Sequence, residues 1–322
     1  MIEVLRCGAM TSVQDLGRFG MRHLGVGQSG VLDPIATQQA NLLLGNDANA
    51  AVLELTVGPL QLAFHQDCTV VLTGVDFSTS ISTGKAAAAQ QAAIPGQAME
   101  LKAGMQITLQ RPTIPGTRAY LAVSGGIDVP VVLGSRSTDM ASGFGGFHGR
   151  ALQTGDVLPI GRFFTPPRNA PYGIRPLAPS HVLRATPGPD YDAFTADAHQ
   201  RFWMQPWGIS HQSSRMGLRL NGQALTLNKP LSLLSAGVLP GNVQVPPNGL
   251  PIVLSNDAQT IGGYPRIASV IQADLWQLAH LPPLTSVYFQ PVTHAVAAQA
   301  RERQLRYLER LREALLGAER IN

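Results

Sequence analysis

The sequence predicts a mainly β protein with a few short helices and a C-terminal amphipathic helix. Its 322 residues include 33 Gly and 24 Pro, so the chain turns often. Short apolar or β-branched runs lie between the turns, a pattern typical of a β-sandwich or a β-barrel. The last segment differs, because leucines recur there at helical spacing among Arg and Glu.

The first half of the chain alternates apolar runs with turn residues such as Gly58-Pro59. The runs that we predict as strands are 2–6, 52–57, 60–64, 69–73, 77–82, 105–110, 118–123 and 157–160. One helix should interrupt them. Asp33 can cap its start, Pro34 suits its first turn and Gly45 suits the position after its end.

A Pro-rich link, formed by Thr165 to Pro171 and Arg175 to Pro179, predicts a boundary between two domains. We expect a first β domain at 1–170, a second at 171–292 and a helical tail at 293–322. The strands predicted in the second domain are 181–185, 218–220, 225–227, 231–234, 252–254, 267–271 and 286–290. Short helices are expected near 190–200 and 273–280, and the helical stripe of the tail is Leu305, Leu308, Leu311 and Leu315.

Composition excludes several classes of function. The net charge is only +4 and charged residues make up 14%, without the basic stripe that binds a nucleic-acid backbone. No signal-peptide pattern and no bilayer-spanning apolar run are present, which predicts a cytoplasmic protein that does not bind a membrane. Cys7 and Cys68 could pair but are expected as reduced thiols. The eight histidines lack metal-ligand spacing, so no metal is expected.

Three short motifs resemble sites without meeting their requirements. The run from Gly25 to Gly30 fits G-x-G-x-x-G, but no buried parallel strand precedes it, so a turned loop is favoured over a dinucleotide site. The run from Thr83 to Ala86 lacks the first Gly and the final Ser or Thr of a P-loop. Val123 to Gly126 lacks the first Gly of a nucleophile elbow. A site for ATP must therefore be unconventional or lie on another chain.

Four polar, Gly-containing segments are the candidates for a functional site, although each could instead be a turn with capped ends. They are 11–18 continuing to 29–33, 124–128 with 133–139, 213–217, and 241–246 with 257–266. Among the histidines, His23 and His211 lie in comparable polar loops and are the ones that could contribute to such a site.

The last of these segments offers the most chemistry. A Gln amide carries a donor and an acceptor, so Gln259 can match the edge of an amide or lactam. Asp257 can accept a hydrogen bond from a ligand N–H, and Gly262 and Gly263 can offer backbone N–H groups to an oxyanion. Tyr264 adds a flat ring and a hydroxyl. This set predicts a site for a small planar group containing H–N–C=O.

The same segments, in this order, resemble the allophanate hydrolase subunit 2 family, also called biotin-dependent carboxyltransferase-like proteins. The matching runs are Thr11–Arg18, Ser29–Asp33, Ala40–Asn46, Leu53-Glu54, Gly134–Asp139, Arg215–Gly217 and Gln244 through Pro265. The resemblance covers nearly the whole chain except its tail. It implies two cyclophilin-like β-barrel domains, in agreement with the many predicted strands.

Within this family, a stand-alone chain of this length resembles the 5-oxoprolinases, which hydrolyse 5-oxoproline to glutamate with cleavage of ATP. The resemblance implies a tight complex with a B subunit, cooperation with an A subunit, and ATP bound by or shared with the partner. We assign the residues as follows. The catalytic residues are Asp257, Gln259 and Tyr264; the substrate-binding residues are Gln244, Gly262, Gly263, Arg215, Asp33 and His23; and the clamp for phosphate charge is Arg18, Arg136 and Arg266.

Two departures from the family pattern and two other functions stay open. Ile261 stands where the family often has Thr, and Asp190 follows Gly188-Pro189 where the family often has Gln. Multidomain relatives transfer a carboxyl group from carboxybiotin to urea, which requires a lysine after Met on a carrier. No lysine of this chain follows Met, so it holds no biotin attachment site. The other alternative is a regulatory protein that antagonises a histidine-kinase inhibitor.

Overall fold

The computed structural model describes residues 1–8, 10–56, 58–83, 91–113, 117–162 and 173–318. Two compact units make up the chain. The first contains Met1–Arg18, Ser29–Ala178 and the chain from Tyr307 onward, and the second contains Phe19–Gln28 and Pro179–Arg306. The first run of the Pro-rich link, 165–171, lies outside the described residues, as do 84–86 of the P-loop-like run. The predicted domain bounds therefore stay a prediction.

The first unit consists of two antiparallel sheets. Its strands are β1 (Ile2–Arg6), β2 (Ser12–Gln14), β3 (Val52–Leu55), β4 (Leu60–Phe64), β5 (Cys68–Gly74), β6 (Phe77–Ser82), β7 (Gln91–Ala92), β8 (Ala98–Leu101), β9 (Gln106–Pro112), β10 (Ala119–Val123) and β11 (Val157–Leu158). One sheet has the order β11-β1-β4-β9-β6-β7 and the other β2-β3-β10-β5-β8. Inward residues of both, such as Leu62 and Leu121, form one buried core.

The helix of this unit, α1 (Pro34–Leu44), has the limits that its sequence predicts. Oδ1 of Asp33 accepts hydrogen bonds from the backbone N–H groups of Ile35 and Ala36, each at 2.9 Å. Gly45 ends the helix with φ 72°, a left-handed conformation that favours glycine. The buried face of α1 packs on residues of β5 and β10, including Val71 and Tyr120, that point away from the core between the sheets.

The second unit is a closed barrel. Its strands are β12 (Val182–Pro187), β13 (Trp207–Ile209), β14 (Gly217–Asn221), β15 (Ala236–Gly237), β16 (Asn242–Gln244), β17 (Ile252–Leu254), β18 (Ile261–Gly262), β19 (Arg266–Val270) and β20 (Ser286–Pro291). Seven of them close in the order β12-β19-β16-β17-β14-β13-β20, while β15 and β18 pair separately. The barrel core contains Trp207, Phe202 and Phe289, and the helix α2 (Ala196–Met204) supplies Phe202.

The predicted fold class is confirmed, but two of the predicted strands are wrong. The run 225–227 makes only an isolated bridge between Leu227 and Phe194, and 231–234 is irregular. Lys229-Pro230 precedes the second run, in which Leu231 and Leu233 are partly buried and Leu234 is exposed, and the run has no partner strand. The helix predicted at 190–200 begins with a 3₁₀ turn, Tyr191–Ala193, and the one at 273–280 is a 3₁₀ helix, Gln272–Ala279.

The C-terminal helix is confirmed as α3 (His294–Ala318). Ala300, in its first half, packs against Ile271 and Ala273 of the second unit. Farther along, Leu315 belongs to the buried cluster around α1 in the first unit, and Leu305 is 44% exposed. Within the described ranges, no helix has both the length and the apolar character needed to cross a membrane.

Candidate active site

Two glutamines of the second unit form a hydrogen-bonded amide pair. Gln244 is the last residue of β16, and Gln259 lies in the turn that precedes β18. Nε2 of Gln259 donates to Oε1 of Gln244 at 3.2 Å. Gln244 is 1% exposed, and its Nε2 has no hydrogen-bond partner among the described residues. The pair thus offers one amide donor, from Gln244, and one amide acceptor, from Gln259.

Strand β18 lies directly over this pair, and the glycine at position 262 allows this close approach. A Cβ atom on Gly262 would lie 2.7 Å from Nε2 of Gln244 and 3.5 Å from Nε2 of Gln259. Any residue with a side chain would therefore push the Gln244 amide aside. Gly262 pairs with Ala236 in the small sheet of β15 and β18, which is separate from the barrel.

A residue that the sequence pattern did not single out holds Gln259 from another part of the chain. Arg22 begins a short 3₁₀ turn in the segment 19–28. Its Nη2 donates to the carbonyl oxygens of Val238 at 2.7 Å and Gln259 at 2.9 Å. Burial lowers the pKa of Arg22. The sequence indicated His23 instead, and its side chain is exposed.

The predicted residues Asp257 and Arg215 meet in a buried ion pair. Nε of Arg215 donates to Oδ2 of Asp257 at 2.8 Å, and Nη2 donates to Oδ1 at 3.0 Å. Both carboxylate oxygens are thereby engaged inside the protein. This geometry favours a structural role for the pair beside the glutamines, and a catalytic role for Asp257 stays a prediction.

The end of the fourth polar segment, 263–265, borders an open cavity of about 620 Å³. Gly263, Tyr264 and Pro265 line one side, and the run 245–247 and Lys229 line another. Tyr264 is 47% exposed and presents its ring towards solvent. Among the predicted site residues, the structure therefore brings Gln244, Gln259, Gly262, Gly263 and Tyr264 into one region of the second unit.

Arg266, a predicted phosphate clamp, is paired within the protein. Its Nε donates to Oδ2 of Asp190 at 2.9 Å, and its backbone N–H donates to the same oxygen at 3.0 Å. Asp190 is one of the two residues that depart from the family pattern. Its carboxylate fixes the start of β19, and Nε of Arg266 and Oδ2 of Asp190 are engaged with each other.

In the first unit, the carboxylate of Asp15 organises a second polar cluster. It accepts hydrogen bonds from Oγ of Ser135 at 2.6 Å, Oγ of Ser137 at 2.5 Å, and the backbone N–H groups of Arg136 at 2.6 Å and Gly17 at 2.9 Å. Asp15 is 2% exposed. The carboxylate therefore ties two of the four polar segments to each other.

The other predicted residues of the first unit differ in their access to a ligand. Arg18 is fully buried, donates to the carbonyl oxygens of Val132 and Ser137, and lies 4.6 Å from the ring centre of Phe144. Asp33 caps α1. Arg136 lines a polar cavity of about 520 Å³, whose other charged residues are Asp47, Asp128 and Arg162. Of the predicted clamp residues, Arg136 is the one that lines this polar cavity.

Metal ligation has no support in the described part of the chain, where no group of three His, Cys, Asp or Glu side chains is placed to hold an ion. The thiols are also poor nucleophiles. Burial raises the pKa of Cys68 to about 12 and raises that of Cys7 as well. The chemistry available in these clusters is therefore hydrogen bonding by amides and charge stabilisation by arginines.

Comparison with known proteins identifies a family and full-length relatives. Residues 24–291 match the model of the carboxyltransferase domain, subdomains A and B. The chain is 46% identical to the C subunit of 5-oxoprolinase from Escherichia coli K12 over 311 residues, which cover 97% of each protein. It is 37% identical to the C subunit of 5-oxoprolinase from Haemophilus influenzae over 97% of this chain and 98% of that protein.

A solved structure has a similar fold within a much longer protein. The urea amidolyase of K. lactis superposes with a TM-score of 0.87 and 29% sequence identity. The match covers 96% of this chain but only 20% of that one. The β architecture is therefore that of a domain which also occurs inside multidomain enzymes.

Proposed function

Because this chain belongs to the family of the carboxyltransferase domain, subdomains A and B, we propose that it is one subunit of an ATP-dependent 5-oxoprolinase. The reaction converts 5-oxo-L-proline to L-glutamate with cleavage of ATP. The observation that carries this proposal is the end-to-end similarity to relatives named as the C subunit of 5-oxoprolinase, at 46% identity for the one from E. coli. A cytoplasmic location stays a prediction.

The amide pair supports this substrate class. A lactam presents an N–H and a C=O side by side, which match the free acceptor of Gln259 and the free donor of Gln244. Tyr264 and Gly263 border the adjacent cavity, where the ring could lie. Asp257 and Arg215 hold the neighbouring loop, and Gly262 and Gly263 are the proposed backbone donors to the developing oxyanion.

A lactam is a poor electrophile, which explains the need for ATP. Transfer of the terminal phosphoryl group of ATP to the amide oxygen would activate the ring carbon for attack by water. The C–N bond then breaks and the nitrogen takes up a proton to become the amine. A second water hydrolyses the acyl phosphate that remains, which gives glutamate and inorganic phosphate. Positive charge must stabilise the transferred group. Arg136, which lines a polar cavity, is the residue of this chain that we propose for this stabilisation. In this proposal, ATP is held by a partner or shared with it.

The proposed assembly contains a B subunit bound tightly to this chain and an A subunit that cooperates with both. Mixing the three purified proteins with 5-oxoproline should release glutamate only when ATP is present. Omission of this chain should abolish the release. Absence of glutamate from the complete mixture would contradict the proposed function and would favour the regulatory role.

A matched pair of variants tests the site in the same assay. Gln259→Ala removes half of the amide pair, and we expect it to lower turnover strongly while the three proteins still associate. Gln212→Ala, at an exposed glutamine of the same unit, should leave turnover unchanged. Equal activity of both variants would remove the amide pair from the mechanism.

Carboxyl transfer to urea is the second candidate, favoured by the TM-score of 0.87 with K. lactis urea amidolyase. It requires a biotinylated carrier on another chain, since Lys85, Lys102 and Lys229 all follow residues other than Met. Detection of a biotinylated protein bound to this chain, together with urea-dependent use of bicarbonate, would select this function over lactam hydrolysis.

A further inference from the structure

Arg22 is a partly buried cation that lacks a counter-ion in the described part of the chain. Its Nη2 donates to two carbonyl oxygens, those of Val238 and Gln259. Its Nη1 is buried and has no hydrogen-bond partner among the described residues. An arginine stays charged in proteins, and a buried charge is costly unless an opposite charge or hydrogen bonds compensate it.

Other arginines of the second unit show the usual solution to this cost. Arg215 pairs with Asp257 at 2.8 Å, and Arg184 pairs with Asp274 at 2.5 Å. Nη1 of Arg301, which is also desolvated, donates to Oε1 of Gln304 at 2.6 Å. Unlike these three arginines, Arg22 has a buried N–H donor without a partner among the described residues, and its charge indicates that the missing acceptor is an anion.

The position of Arg22 connects it with the amide pair. Arg22 binds the backbone carbonyl of Gln259, and Gln244 binds the side chain of the same residue. Nε2 of Gln244 is the second buried donor without a partner at this place in the described chain. Unsatisfied buried donors are rare in native proteins and commonly mark a missing ligand or water. Two of them around one residue define a site that requires acceptor oxygens.

We propose that Arg22 is a specificity-determining residue that binds the carboxylate of a small cyclic amide acid, while Gln244 and Gln259 bind the amide edge of the same molecule. The identity of that acid as 5-oxoproline rests on the proposed function. Neutral amides such as urea or 2-pyrrolidone lack the carboxylate and do not use Arg22. Because Gly262 covers Gln244, entry of the ligand requires the sheet of β15 and β18 to move outward.

The test compares 5-oxoproline with 2-pyrrolidone, which has the same lactam but no carboxylate. Binding of each is measured by calorimetry to the full chain in complex with its partner proteins. Wild-type protein should prefer the acid. Arg22→Gln should weaken binding of 5-oxoproline by about 10- to 100-fold, the loss expected for a charge-assisted hydrogen bond, and leave binding of 2-pyrrolidone unchanged. Arg301→Gln removes a comparably desolvated charge and should change neither.

Two results would overturn the inference: a wild-type complex that does not prefer the acid, or an Arg22→Gln complex that keeps the preference. If Arg22→Gln does not fold, Arg22→Lys replaces it in the test. Lysine retains the charge, so this variant is expected to keep the preference for the acid with weaker binding. Equal affinities of Arg22→Lys for both lactams would also overturn the inference. Glutamate release by the wild-type mixture reports on the proposed function separately, so that function can stand while the role of Arg22 fails.

Discussion

Arg215 and Asp257 form a two-point ion pair inside the second unit, with side chains only 4% and 8% exposed. A backbone hydrogen bond joins the same two residues, in which the N–H of Asp257 donates to the carbonyl oxygen of Arg215 at 3.1 Å. The pair therefore joins the turn after β17 to the turn before β14. Since Gln259 follows Asp257 by two positions, this junction helps to place the amide pair.

We expect Asp257→Ala to lower the free energy of unfolding by about 3 kcal/mol, because it leaves the charge of Arg215 buried without its partner. The midpoint of urea unfolding, followed by circular dichroism, measures the change. Asp197→Ala removes a carboxylate from an exposed helical pair with Arg201 and should cost less than about 1 kcal/mol. Equal stability of the two variants would assign Asp257 a role other than structural support.

Some contacts of this candidate site join residues that the sequence had grouped, and others do not, for a physical reason. Gln244 and Gln259 could be predicted together because both belong to one polar, Gly-containing part of the sequence, 241–246 with 257–266. Arg22 contacts Gln259 across 237 positions of sequence, and no local pattern encodes such a contact. Likewise, the ion pair between Asp257 and Arg215 could not be predicted from residue types that equally suit a ligand.

The fold shows the same contrast between local and distant signals. The limits of α1 follow from Asp33, Pro34 and Gly45, each of which acts on its own neighbours. A strand instead needs a partner, and the run 231–234 has none although its composition suits one. Closure of the barrel by the parallel pairing of β12 with β20 depends on residues about a hundred positions apart, from Val182 to Tyr288.

The tail helix α3 should stabilise the first unit through its far end. Leu315 is 7% exposed in the cluster around α1, and Nε2 of Gln39 donates to the hydroxyl of Tyr307 at 2.7 Å. We expect Leu315→Ala to lower the free energy of unfolding by about 2 kcal/mol. Leu305→Ala, at a position 44% exposed on the same helix, is the matched control and should cost much less. Equal losses in urea unfolding would contradict this packing.

The thiol of Cys68 should be almost inert in the folded protein. Burial raises its pKa to about 12 from the ordinary 9.0, so at pH 8 its thiolate is about a thousandfold scarcer than that of a free cysteine. Alkylation by iodoacetamide, followed by mass spectrometry, should be correspondingly slow and should become rapid in urea. Rapid modification of the folded protein at Cys68 would contradict the burial.

The same shift predicts a loss of stability in alkali. The folded pKa lies above the unfolded value, so this contribution is complete below pH 9.0 and is lost as the pH rises from there towards 12. Cys68→Ala should therefore flatten the fall in stability over that range, as measured by urea unfolding at a series of pH values. An unchanged slope would show that other groups cause the alkaline loss.

Gly262 and Gly263 are adjacent glycines with different surroundings, which makes them a test of the amide pair. A Cβ on Gly262 would meet Nε2 of Gln244 at 2.7 Å, whereas a Cβ on Gly263 would have the carbonyl oxygen of Leu233 as its nearest neighbour at 3.3 Å. Neither glycine has the left-handed conformation, so alanine adds no backbone strain at either position. The end of the Gln244 side chain can move, and both variants should therefore remain folded.

We expect Gly262→Ala to lower kcat/KM for 5-oxoproline by about 10- to 100-fold, because it displaces the amide that meets the lactam. Gly263→Ala should have a much smaller effect, since it retains the backbone N–H and leaves Gln244 in place. Unfolding curves of both variants serve as the stability control. Equal activity of the Gly262→Ala complex and an active wild-type complex would show that the Gln244 donor does not contact the substrate. The amide pair would then have only a structural role.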